Sequence, residues 1–135
     1  MLIRSAVLAS LLALVPALVA ADEMWVSETG PVIYESEIDD MALLSFMAPE
    51  GAGMLYIHDL AGNYEDRGVH ARFWIADEPG ACAATLTGPD GRSSRNFGRL
   101  TVAFDRPGWP SGFTAVLYPC MDDYGVPHQL RASLE

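Results

Sequence analysis

Lysine is absent from this chain of 135 residues, so every fixed side-chain cation is an arginine. There are 8 arginines against 18 aspartates and glutamates, a formal net charge of −10. A surface this acidic excludes non-specific attachment to nucleic acid or to anionic membrane. Cysteine is scarce as well, with only Cys82 and Cys120, and no C-x-x-C pair exists to support a thioredoxin-like redox centre. The chain has no G-x-S-x-G elbow, no phosphate-binding glycine loop and no dinucleotide fingerprint. Convincing amphipathic helices, internal repeats and low-complexity tracts are missing too. What remains is short apolar runs punctuated by Gly and Pro.

One apolar run is longer than the rest. After Met1-Leu2-Ile3-Arg4, residues Ala6 to Leu18 are almost wholly Ala, Val and Leu, and the run closes on Val19-Ala20-Ala21 before Asp22. A single early cation, an apolar stretch and small residues at its end are the pattern of a cleavable secretory signal over residues 1–21. The apolar core is shorter than the roughly 20 residues that a membrane-spanning helix needs, which argues against an anchor. Removing the segment leaves 114 residues, 22–135, of a size for a single domain. That product carries 7 Arg against 18 acids, or −11. The expected location is extracytoplasmic, periplasmic or secreted. In such a compartment Cys82 and Cys120 are expected to form one disulfide, worth roughly 3–4 kcal/mol in the loop-entropy account.

Within 22–135 the residues read as an all-β domain. His128, Leu130, Ala132 and Leu134 alternate with Gln129, Arg131, Ser133 and Glu135. Leu100, Val102 and Phe104 alternate with Thr101, Ala103 and Asp105. Further strands are expected at Val32–Ser36, Ala42–Met47, Met54–His58, Val69–Ala76, Ala81–Thr87 and Phe113–Tyr118, each bounded by turn residues. Met41–Met47 also fits a helical turn capped by Asp39-Asp40, but Pro49 and Gly51 would cut it short, so a strand is preferred. The sum is a single antiparallel meander of about eight strands, closed as a barrel or packed as a sandwich.

The segment with most potential chemistry is the pair of strands around Asp59–Gly68. A symmetric hairpin places His58 opposite His70, Tyr56 opposite Arg72 and Met54 opposite Trp74, with Leu55, Ile57, Ala71, Phe73 and Ile75 on the other, core-facing side. Tyr56, His58, His70, Arg72 and Trp74 then form one face, either a binding surface or the rim of a ligand pocket. Simple cross-strand packing would produce the same grouping. His58 and His70 alone are too few for zinc, and Asp39-Asp40 and Asp122-Asp123 lack calcium-loop spacing, so no metal or cofactor is expected. Asp59 follows His58 directly, but neighbours on a strand point to opposite faces, so the pair is not expected to cooperate.

Charge is divided unevenly. Residues 22–66 hold 11 carboxylates and no arginine, whereas residues 67–135 hold 7 of each. Either the arginine-rich segment packs beside the acidic half, or the acidic half steers a basic protein partner. The expected function is therefore a soluble exported β-domain that binds a protein, inhibitor-like toward a cationic target, or a small ligand. The alternatives are a small hydrolase using His58 or His70, with or without metal, and an envelope component with no discrete site.

Overall fold

A computed structural model of the chain describes residues 23–48, 51–60, 70–106, 111–121 and 125–134. The expected leader and the Asp122-Asp123 doublet lie outside these residues, as does the side chain of His70. The described residues contain strands and no helix: β1 (Met24–Ser27), β2 (Gly30–Ile38), β3 (Met41–Ala48), β4 (Gly51–His58), β5 (His70–Ala76), β6 (Leu86–Thr87), β7 (Ser93–Ser94), β8 (Asn96–Phe104), β9 (Phe113–Pro119) and β10 (His128–Ala132). Eight of them make one antiparallel sheet in the order β1-β2-β3-β4-β5-β8-β9-β10, and β6 and β7 pair with each other. At the two ends of the sheet, Val26 and Ser133 exchange backbone hydrogen bonds of 2.8 and 2.9 Å. The meander is thereby brought almost to closure as a barrel, the arrangement that leaves least strand edge exposed.

Period-two patterning explains the walls. Leu100 and Val102 of β8, Phe113, Ala115 and Leu117 of β9, and Leu130 and Ala132 of β10 all bury inward. Met41–Ala48 is a strand, and Asp39-Asp40 is the turn before it rather than a helix cap. Asp39 takes a φ of 57°, a left-handed conformation that aspartate tolerates better than most residues. An eight-stranded barrel has an interior that side chains can fill. Here Trp25, Val32, Leu44, Phe46, Leu55, Ile57 and Trp74 join the residues above in one interior core.

A second apolar layer lies outside the barrel. Leu43, Tyr56, Ile75, Cys82 and Phe97 cluster there, with Met41, Met54, Phe73, Leu86 and Cys120 packed against them. The segment between β5 and β8, carrying the β6–β7 hairpin, contributes Cys82 and Leu86 to this layer. Two cross-links pin the segment down. Cys82 is bonded to Cys120 with Cα atoms 5.5 Å apart, and the Tyr56 hydroxyl donates to Asp90 Oδ1 at 2.8 Å. Residues 81–87 are therefore mostly an irregular cover, not the barrel strand expected from their composition; only Leu86–Thr87 is extended. The eighth barrel strand is instead β1, whose single buried residue, Trp25, is too short a signal to stand out.

The hairpin register also differs from the symmetric one. Gly53 faces Ala76, Met54 faces Ile75, Leu55 faces Trp74 and Tyr56 faces Phe73, a slip of one residue. Leu55 and Trp74 therefore share the interior, while Tyr56, Phe73 and Ile75 lie in the outer layer. Register is specified strongly where one face is buried and the other wet. Here both faces are apolar, so the pattern alone does not choose between the two pairings.

β8 comes close to the chain at the end of β9 at Gly98, which bridges to Cys120. A methyl group at position 98 would collide with the Tyr118 carbonyl oxygen and lie 2.7 Å from that of Cys120. Gly98→Ala should therefore destabilise the fold by about 3 kcal/mol, the upper end of ordinary overpacking. Urea denaturation of the two proteins side by side checks this, and an unchanged midpoint would contradict the close approach.

Candidate functional site

The residues expected on one face are distributed over three environments. Trp74 is inside the barrel, only 8% exposed, with its indole N–H donated to the Tyr118 carbonyl at 3.1 Å. Tyr56 is fully buried in the outer layer, stacked on Phe73 with ring centroids 4.5 Å apart and planes 15° from parallel. Its phenol is pushed above the usual tyrosine value, first by burial and then by the Asp90 carboxylate that accepts its proton's hydrogen bond. His70 pairs through its backbone with Val102 of β8, and its ring lies outside the described residues. His58 and Arg72 do come together: Arg72 Nη2 lies 2.8 Å from His58 Nδ1.

Asp59 joins them, against expectation. It sits just past the end of β4 with a φ of 66°, in the left-handed region. The chain has left the strand there, so strict side-to-side alternation no longer applies. Its carboxylate comes back to 3.2 Å from His58 Nδ1 and 3.7 Å from Arg72 Nη2. The two contacts of His58 fall on one nitrogen, which cannot accept from Arg72 and donate to Asp59 at once. A ring with Nδ1 unprotonated accepts from Arg72; a ring carrying a proton on Nδ1 donates to Asp59. The trio thus has two exclusive hydrogen-bonding states.

His58 and Arg72 line a groove of about 420 Å³ together with Met41, Phe73, Arg99, Leu100, Thr101 and Met121. Met41 and Phe73 come from the outer apolar layer, and Met121 is exposed. The Arg99 guanidinium is packed 3.9 Å over the Tyr118 ring. The groove therefore combines an apolar floor with cations. Arg72 is 35% exposed through its side chain, yet its Nε is buried with no hydrogen-bond partner among the described residues. Of the lining groups only His58 and Arg72 carry a signal in the sequence as candidate binding residues. Met41, Arg99 and Met121 are delivered by sheet order and by the chain after β9.

Elsewhere the arginines pair mostly within their own half of the chain. Arg92 meets Asp77 at 3.4 Å, and Arg131 grips Asp105 through both terminal nitrogens at 2.8 and 2.7 Å. The Arg131 hydrogen bonds hold the Asp105 carboxyl below its ordinary range. Both partners are exposed, so the pair contributes little to stability. Among the described residues no group of three or more His, Cys, Asp or Glu is placed to hold a metal ion. Comparison with protein-family models, with curated proteins and with solved structures returns no match for this chain.

Tyr56 yields a pH prediction with a definite sign. In the unfolded chain a tyrosine ionises near pH 10, whereas folded Tyr56 keeps its proton to higher pH. Above that pH the native state holds more protons than the unfolded one, so stability falls as pH rises. Tyr56→Phe should cost about 1 kcal/mol at neutral pH through the lost Asp90 bond. It should also make the alkaline loss of stability shallower, as measured by denaturation at about pH 9 and pH 11, either side of the free tyrosine value.

Proposed function

We propose that the protein is an exported binding module and that the His58–Arg72 groove is its recognition site. The observation that carries this reading is Arg72: a guanidinium at the groove wall, held by His58 and Asp59 through a single nitrogen, with its buried Nε unpartnered among the described residues. Arginine presents donors in a fixed fork suited to carboxylate or phosphate. The apolar floor of Met41, Phe73 and Met121 suits a hydrocarbon body attached to such a group. The ligand is thus an amphipathic anion. With a chain this acidic overall, the groove's cations would distinguish it from the surrounding surface. The Cys82–Cys120 bridge is consistent with an oxidising compartment, and the N-terminal pattern supplies the route there.

Decanoate and its uncharged counterpart decanol test the site. Decanoate should bind and decanol should bind more weakly, with Arg72→Ala weakening decanoate by about tenfold or more, the order expected for a charge-assisted contact. The same substitution should leave thermal stability nearly unchanged, because its ion pair with the exposed Asp59 is long, at 3.7 Å. Equal binding of both probes, or an Arg72→Ala protein that no longer folds, would make the groove structural. Export is checked separately by the intact mass of the protein recovered from its native compartment, which should begin at Ala21 or Asp22.

A further inference from the structure

The two ends of the barrel are closed differently. At one end Trp25, Phe104 and Phe113 pack edge to face, with centroids 5.2 and 5.6 Å apart. The Trp25 indole N–H is donated to the Ser111 carbonyl at 2.8 Å, in a buried bond. That end is plugged by aromatic rings. At the other end three strands begin or finish on small residues: Ala48 of β3, Gly51 of β4 and Ala76 of β5. Among the described residues two rings of the interior core reach this end, Phe46, packed against Gly53, and Trp74, which lines the opening.

The result is a cavity of about 250 Å³ in the barrel mouth, lined by Ala48, Trp74, Asn96, Leu117, Pro119, Val126 and His128. Its base is apolar, for Ala48, Trp74 and Leu117 all belong to the barrel core. Among the described lining residues the polar side chains are Asn96 and His128. Asn96 is held in place, its Nδ2 donating to the Asp77 carbonyl at 2.9 Å. Val126 lies over the mouth with 88% of its surface exposed, the most exposed large apolar side chain among the described residues. An apolar side chain left in water beside an open apolar cavity loses that cost when a ligand is placed between them.

The geometry points to a second binding site, in the barrel mouth, for a small uncharged aromatic molecule with one hydrogen-bonding group, of the size and chemistry of a phenol. The cavity is below the roughly 300–1,000 Å³ of pockets that take drug-sized ligands, which limits the occupant to about one ring. Trp74 offers an aromatic partner, and such pairs gain beyond simple burial. Asn96 and His128 supply hydrogen-bonding capacity for a hydroxyl. Among the described residues no arginine lines the mouth, so a charged head is not selected. The site is separate from the Arg72 groove and shares no lining residue with it.

Titration of the isotopically labelled protein with 4-fluorophenol tests it, read through the indole N–H signals in proton–nitrogen spectra and the fluorine line width. Trp74→Phe assigns the Trp74 signal. The expected result is a saturable shift of the Trp74 indole with the Trp25 indole unmoved. Ala48→Leu, which extends a side chain into the cavity, should weaken binding by about tenfold or more, and Arg72→Ala should leave it unchanged. His128→Ala should weaken 4-fluorophenol while leaving fluorobenzene, which lacks the hydroxyl, as before. Should Ala48→Leu fail to fold, the Trp74 shift and the His128→Ala comparison stand without it. Absence of a saturable Trp74 shift at millimolar probe, binding that a folded Ala48→Leu retains in full, or binding that Arg72→Ala abolishes would each overturn the assignment.

Discussion

Burial of the same sheet on both sides is the constraint on which this structure depends. β3, β4, β5 and β8 present apolar residues inward to the barrel core and outward to a second cluster. The inward side is covered by the barrel itself. The outward side needs a separate cover, and the segment between β5 and β8 provides it. That segment has too little regular structure to stay in place by backbone pairing, since β6 and β7 pair only with each other. The Cys82–Cys120 bridge and the Tyr56–Asp90 bond hold it down instead. A loop of 38 residues closed by a disulfide is worth about 4 kcal/mol in the loop-entropy account, a large share of a small domain's net stability.

The outer cover also decides where a groove is possible. It hides Tyr56 and Ile75 but leaves Met41, Phe73 and Met121 at its border, where they meet Arg72 and Arg99. Recognition surfaces that join an apolar floor to a few placed cations arise at such borders, where two kinds of surface abut. The mouth of the barrel has a different origin. There Ala48, Trp74 and Leu117 of the core form the base of a cavity that Asn96, Pro119, Val126 and His128 complete.

Much of the fold was legible because alternation is a direct record of burial. β8 and β10 could be read from their apolar periodicity alone, and the all-β class followed from the number of such runs. Two segments read differently in the structure, each for its own reason. Trp25 in β1 is one buried residue in a run of four, below what periodicity can register. Ala81–Thr87 has strand-like composition, but its apolar residues serve the outer cluster. The candidate site was half legible: His58 and Arg72 do touch, although the register that suggested it was off by one. Asp59 was set aside on alternation, a rule that ends where the strand ends.

Composition and order along the chain determined the class of protein: acidic, lysine-free, β-rich, with one pair of cysteines placed to bond. Those properties depend on local residue types and survive any register. The tertiary structure alone decided which faces those residues occupy. When both sides of a hairpin are apolar, a one-residue slip costs no apolar burial in prospect, and only the completed packing selects between pairings. That selection sent Trp74 to the barrel mouth and Tyr56 beneath the cover. It left His58, Arg72 and Asp59 together at the groove.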